Sequence, residues 1–135
     1  MADSDRIDLD LVRQFALALP GTTEEPHFDM TSFRVRGKIF ATATPDEVHL
    51  HVFVDEPEVS ASVAENPDAF EPLVWGRKIR GVRVSLPGAP AERVRELIEE
   101  SWRRRAPARL VAELDRTVPG SGPDPGSRPD PGAVS

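Results

Sequence analysis

The chain has 135 residues, with 17 Lys and Arg against 23 Asp and Glu, a formal charge of −6, and no cysteine. That length suits one domain with its own core, and the absence of cysteine excludes disulfides, thiolate metal sites and cysteine nucleophiles. The acidic balance excludes a protein that coats nucleic acid through overall charge, and no apolar run approaches the roughly 18 residues that span a bilayer.

In chain order, Met1-Ala2-Asp3-Ser4-Asp5 is acidic and polar, and with the missing cysteines it reads as the start of a cytoplasmic protein. Asp8 to Leu19 predicts a helix, with Leu11, Val12, Phe15, Ala16 and Leu19 at helical spacing, Asp8 as N-cap and Ile7 stapled against Val12. Pro20-Gly21 stops it, and a break follows at Glu24-Glu25-Pro26. Strands are predicted over 27–30, 32–36, 38–43 and 48–54. In the last, Val48, Leu50, Val52 and Val54 alternate with His49, His51 and Phe53. Phe33 and Val35 enter a core only if Arg34 and Arg36 leave it, and Gly37 supplies the tight turn to the next strand.

Asp55 caps a short helix with Glu58 as its capping-box partner, Val59 and Val63 face inward, and Asn66-Pro67 closes it. Trp75 to Leu86 predicts one strand region with Val82, Val84 and Leu86 on the core face and Gly81 at a bulge or close approach. Val94, Leu97, Ile98 and Trp102 form the stripe of a second long helix over 91–105. Ala106-Pro107 breaks it before a shorter piece holding Leu110, Val111 and Leu114. Residues 118–135, built mainly from Pro, Gly, Ser and Asp, are expected to be disordered. The domain therefore spans 1–117 and the tail 118–135. The order of elements predicts an α+β fold, an antiparallel sheet covered on one face by two long helices. Its open face would show Arg34, Arg36, His49, His51, Phe53 and Arg83.

Against the acidic total, Arg34, Arg36, Lys38, Arg77, Lys78, Arg80 and Arg83 gather in predicted strands. Paired strands would hold these cations in fixed rows, which suits contact with phosphates. The plainer account is a solvated face whose arginines pair with Asp29, Glu47 or Glu71. Arg103-Arg104-Arg105 ends a helix, where cations complement the dipole. His49 and His51 share one strand face, and His27 with carboxylates would be needed to complete a metal site. Two histidines without cysteine or a helical His-Glu motif do not assign one. Trp102 reads as core, and Trp75 as either core or an exposed stacking platform. No nucleophile elbow, P-loop or dinucleotide fingerprint is present. The adjacent pairs Glu24-Glu25 and Glu99-Glu100 diverge, so no catalytic residue and no cofactor is expected.

Four segments resemble the MmcQ/YjbR family: Ala18 to Phe28, Ser32 to Ala41, Trp75-Gly76-Arg77 and Ser101 to Pro107. The resemblance runs over about residues 8–115. It implies a frataxin-like (CyaY-like) fold and a DNA-binding role in which β-hairpins grip the duplex as two wings. It carries no catalytic residues. By the same likeness, Asp3, Asp5, Asp8 and Asp10 are similar to an iron-engaging acidic ridge, although capping and dipole complementarity already account for Asp8 and Asp10. The expectation is a non-enzymatic, monomeric DNA-binding protein without cofactor or membrane contact. A protein–protein adaptor using the open sheet face is the alternative, and metal or iron handling comes third.

Overall fold

In the computed structural model, which describes residues 7–117, the Asp8 carboxylate accepts a hydrogen bond from the Leu11 N–H at 3.0 Å. The first helix, α1 (Leu9–Leu17), thus starts at the cap the sequence provides, and Leu9, Val12 and Ala16 turn inward. Past its end, the Trp102 indole N–H donates to the carbonyl of Pro20 at 3.1 Å, tying this corner to a later helix.

Six strands follow: β1 (Thr22–His27), β2 (Met30–Val35), β3 (Lys38–Ala43), β4 (His49–Val52), β5 (Phe70–Trp75) and β6 (Lys78–Ser85). They form one antiparallel sheet in the order β1-β2-β3-β4-β6-β5. Helix α2 (Glu56–Glu65) lies between β4 and β5 and packs on β5 and β6. Helix α3 (Ala91–Arg105) packs on β3, β4 and α1, and α4 (Ala108–Thr117) closes the described chain. Phe33, Phe40, Leu50, Phe70, Leu97, Ile98 and Trp102 are fully buried between sheet and helices. The predicted tail, 118–135, lies outside the described residues.

Several elements differ from the sequence reading. Glu24-Glu25-Pro26, read as a break, lies inside strand β1, and of 27–30, read as a strand, His27 ends β1, Met30 begins β2 and Phe28-Asp29 is the turn between them. The region read as one strand from Trp75 to Leu86 is the end of β5, a turn, and β6. Both missed strands are the outer ones, and each contains a proline, Pro26 and Pro72, which an edge tolerates because one side of its backbone is left unpaired. Asp55 precedes α2 but makes no side-chain cap; its carboxylate is held by Arg104 at 2.8 Å, and Glu58 pairs with Arg93 instead.

Three two-residue turns shape the sheet. Arg36 (φ 53°) and Gly37 (φ 79°) join β2 to β3 with both residues at positive φ, the pattern of a type I′ turn. Gly76 (φ 64°) and Arg77 join β5 to β6 with only the first residue positive, as in type II′. Antiparallel order brings these two tips to the same end of the sheet, beside the end of β4. Each hairpin also carries a register shift. Phe33 faces Ala41 while Arg34 faces Ile39, leaving Phe40 as the extra residue of β3. Leu73 faces Gly81 while Val74 faces Ile79, leaving Arg80 as the extra residue of β6. Such bulges bend and twist a strand pair, so both hairpins are deflected near the end they share.

The third turn, Phe28-Asp29, sits at the opposite end. Phe28 holds φ 60° while 93% exposed, touching only the His27 ring at 4.8 Å among aromatic neighbours. A bulky residue in this region costs about 1–2 kcal/mol, and glycine fits it without strain. Phe28→Gly is therefore expected to stabilise the fold by roughly 0.5–1 kcal/mol, after the added freedom of the unfolded chain is subtracted. The check is a higher urea midpoint at unchanged slope.

Candidate functional site

Cross-strand register aligns a polar row on one face of the sheet: Glu25, Ser32, Thr42, His51, Arg83 and Glu71, one from each strand. Toward the deflected hairpin tips this open face becomes a groove of about 1290 Å³. Arg34 and Lys38 line it from the β2–β3 hairpin, Arg77, Lys78 and Arg80 from the β5–β6 hairpin, and Arg104 and Arg105 from the end of α3. Asp55 and Glu56 are the only carboxylates among its lining residues, so seven cations face two anions in a chain whose total charge is −6.

The cations differ in how free they are. Arg34 is held on its own hairpin, donating to the Ser32 hydroxyl at 2.9 Å and the Pro26 carbonyl at 3.3 Å, with Glu25 at 3.9 Å. Arg104 donates to the Phe53 carbonyl at 2.8 Å and pairs with Asp55, which pins the end of α3 to the chain leaving β4 and delivers Arg105 to the groove. Lys38, Arg77, Lys78, Arg80 and Arg105 form no ion pair with a described residue. Cations that no carboxylate neutralises are the ones available to an external anion.

Two of the seven cations singled out from sequence fall elsewhere. Arg36 is a turn residue rather than part of a strand face, because the apolar–cationic alternation runs one residue past the end of β2. Arg83 pairs with Glu71 at 3.1 Å, one of the partners anticipated for it, and does not line the groove. Arg104 and Arg105 had been accounted for by the helix dipole. Their place in the groove depends on contacts 51 residues apart in sequence, for which no local signal exists. Arg103 is taken up by Glu99 and Asp115.

The groove also has flat apolar surface. Trp75, the last residue of β5, is 53% exposed and not core, with its ring edge-on to Phe53 at 5.6 Å and the Arg80 guanidinium 5.8 Å from its centroid. Arg80 is the extra residue of the β6 bulge, a position that re-aims a side chain. Ile39, Ile79 and Met30 complete this apolar lining.

The histidines do not converge. His49 Nδ1 meets the Asp46 carboxylate at 3.0 Å, in a loop where Thr44, the Val48 N–H and His49 hold the Asp46 carboxyl at about 2. His27 meets the Phe28 ring in a T-shaped contact, and His51 lies in the groove. Among the described residues no group of three His, Cys, Asp or Glu side chains is placed to hold a metal ion.

Burial, with the like charges of Arg83 and His49, pushes His51 below its ordinary 6.5. The unfolded chain therefore takes up this proton first. The stability tied to neutral His51 is present above about pH 6.5 and is lost as the pH falls below it. A urea-midpoint profile is expected to decline below pH 6.5 in the parent and to flatten over the same interval in His51→Gln.

The YjbR family model matches residues 17–104, which takes in both hairpins and every groove residue except Arg105. A crystal structure of Deinococcus radiodurans protein DR2400, a DUF419 domain, is similar in fold with a TM-score of 0.64. It is 24% identical, and the likeness covers 73% of this chain and 78% of that one. No curated protein matches the chain. With the family model covering more than half of its length, the chain belongs to the YjbR family.

Proposed function

We propose that this protein is a non-enzymatic DNA-binding protein that seats a phosphodiester backbone between its two deflected hairpins. The observation that carries the reading is the convergence of seven cations on one groove, five of them free of any carboxylate partner among the described residues. The hairpin backbones hold these cations at fixed spacing, so only the side chains remain to be ordered when a phosphate arrives. The groove offers charge and flat surface rather than a nucleophile beside a base, and its Asp55 is engaged by Arg104. In the same reading the protein works as a monomer in the cytoplasm, and the α+β sheet with its helices is of the frataxin-like kind.

The test is fluorescence anisotropy with a labelled DNA duplex over a range of salt. About six engaged phosphates predict a log–log slope near −5 between roughly 0.05 and 0.2 M salt. The acidic remainder of the molecule adds a second signature. Below about 0.01 M salt the Debye length reaches about 30 Å, the whole −6 charge opposes the DNA, and the line is expected to flatten. Absence of binding at any salt, or affinity indifferent to salt, would overturn the reading. Equal affinity for polyglutamate would do the same and point to an acidic protein partner.

A further inference from the structure

Resting on that DNA-binding reading, we infer that the groove prefers single-stranded DNA to duplex, with Trp75 stacking on an unpaired base while Lys38, Arg77 and Lys78 hold the neighbouring phosphates. The two tryptophans of the chain are treated in opposite ways. Trp102 is fully buried with its N–H satisfied by Pro20, whereas Trp75 keeps more than half of its surface in water inside a basic groove. An indole left exposed forgoes the burial that normally stabilises such a residue, so its position is a cost to the isolated fold.

The ring is also braced. Trp75 stands on β5, with Phe53 in a T-shaped contact at 5.6 Å and Arg80 over its ring. A held aromatic gives up little freedom when a base docks, and every base has a face it can use. Directly beyond it in the chain are Gly76, Arg77 and Lys78, which places free cations next to the ring. A duplex keeps its base faces stacked inside and presents backbone and groove edges, so Trp75, Phe53 and Ile79 would find no matching surface on it. An unpaired strand presents both phosphates and base faces.

Anisotropy with labelled oligothymidine and with a duplex of equal length, about 12 nucleotides, at one salt concentration separates the cases. The expected result is at least tenfold tighter binding of the single strand by the parent protein. Trp75→Ala should lose about tenfold on the single strand and less than twofold on the duplex, and Trp75→Phe should recover most of the loss. Quenching of tryptophan emission by oligothymidine should be present in the parent and absent in Trp75→Ala, since Trp102 is buried. Thermal melting of both variants confirms that the fold is intact. Equal or tighter binding of duplex, or an equal loss on both DNAs in Trp75→Ala, would overturn this inference and leave the DNA-binding reading standing. Failure to bind either DNA would overturn both.

Discussion

Gly81→Ala is expected to destabilise the protein by about 3 kcal/mol or more, the largest effect of an added methyl group at any described glycine. A Cβ at Gly81 would stand 2.0 Å from the Val52 carbonyl oxygen and 2.9 Å from the Cα of Phe53. Both obstacles are backbone of β4 or of the residue just past it, so no side-chain rotation relieves the clash. Strand β6 would have to part from β4 where Val82 faces Val52, and these are fully buried core residues. The ladder and the core would be loosened together. The same shift displaces Phe53 and so releases the brace of Trp75. Gly88, with nothing within 4 Å, is the control: Gly88→Ala should change the urea midpoint by less than about 0.5 kcal/mol equivalent. Equal midpoints for the two variants would mean that β4 and β6 approach less closely than described.

A second structural consequence concerns how the helices are held. Arg93 on α3 reaches three carboxylates, Glu58 at 3.0 Å and Glu65 and Glu96 at 3.2 Å, and donates to the Ser62 hydroxyl at 3.1 Å. Burial opposes its charge, but Glu58, Glu65 and Glu96 together outweigh burial and hold the guanidinium above its ordinary pKa. Arg93 thus ties α2, which carries only Val59 and Ser62 as buried residues, to the longer helix. Neither Glu58 nor Arg93 enters the groove, whereas Arg104 and Asp55 both hold the scaffold and line it.

What could be read from the sequence follows what is local. Alternation in β4 was legible because Leu50 and Val52 are buried while His49 and His51 sit in half-buried positions on the other face. The stripe of α3 was legible because Val94, Leu97, Ile98 and Trp102 meet one core. Strand β1, Thr-Thr-Glu-Glu-Pro-His, has no apolar residue to alternate. It is held by pairing with β2 and by a bidentate contact of Arg13 on α1 with Glu24 at 2.7 and 3.0 Å. Nothing within those six residues reports either partner. Strand β5 was hidden for a related reason, since Pro72 reads as a breaker and only its edge position permits it.

The candidate site shows the same division. Arg34 and Lys38 were legible as hairpin cations because turn chemistry at Gly37 marks where the strands reverse, and Arg77, Lys78 and Arg80 as cations of a strand region whose turn at Gly76 was not read. Their convergence was not legible, because it depends on the order β2-β3-β4-β6-β5 and on two bulges that only a register reveals. Arg104 joins through Phe53 and Asp55, and Asp55 was assigned a capping role that α2 does not use. A carboxylate at a helix start satisfies two descriptions at once, and only tertiary contact decides between them.

Reversing one charge on each wing, Lys38→Glu with Lys78→Glu, is expected to weaken duplex binding by about 100-fold near 0.1 M salt without measurable loss of stability. Each lysine is exposed and has no ion-pair partner among the described residues, so the fold loses nothing when either changes sign. Each reversal removes one phosphate contact and adds a repelling carboxylate, about tenfold per site, or about 1.4 kcal/mol. The salt slope should become shallower by about one for each lysine, which distinguishes lost phosphate contacts from a general change of shape. If one strand of backbone passes between both hairpins, the two single losses add in log affinity to within about 0.5 kcal/mol. If the hairpins bind DNA independently of each other, the first reversal costs only about twofold, because the other hairpin still binds, and the second costs more than the first. Arg83→Gln supplies the internal control: it lies on the same sheet face but outside the groove and is paired with Glu71, so it should lower affinity by less than either lysine does. A loss at Arg83 as large as at Lys78 would move the binding surface from the groove to the centre of the sheet.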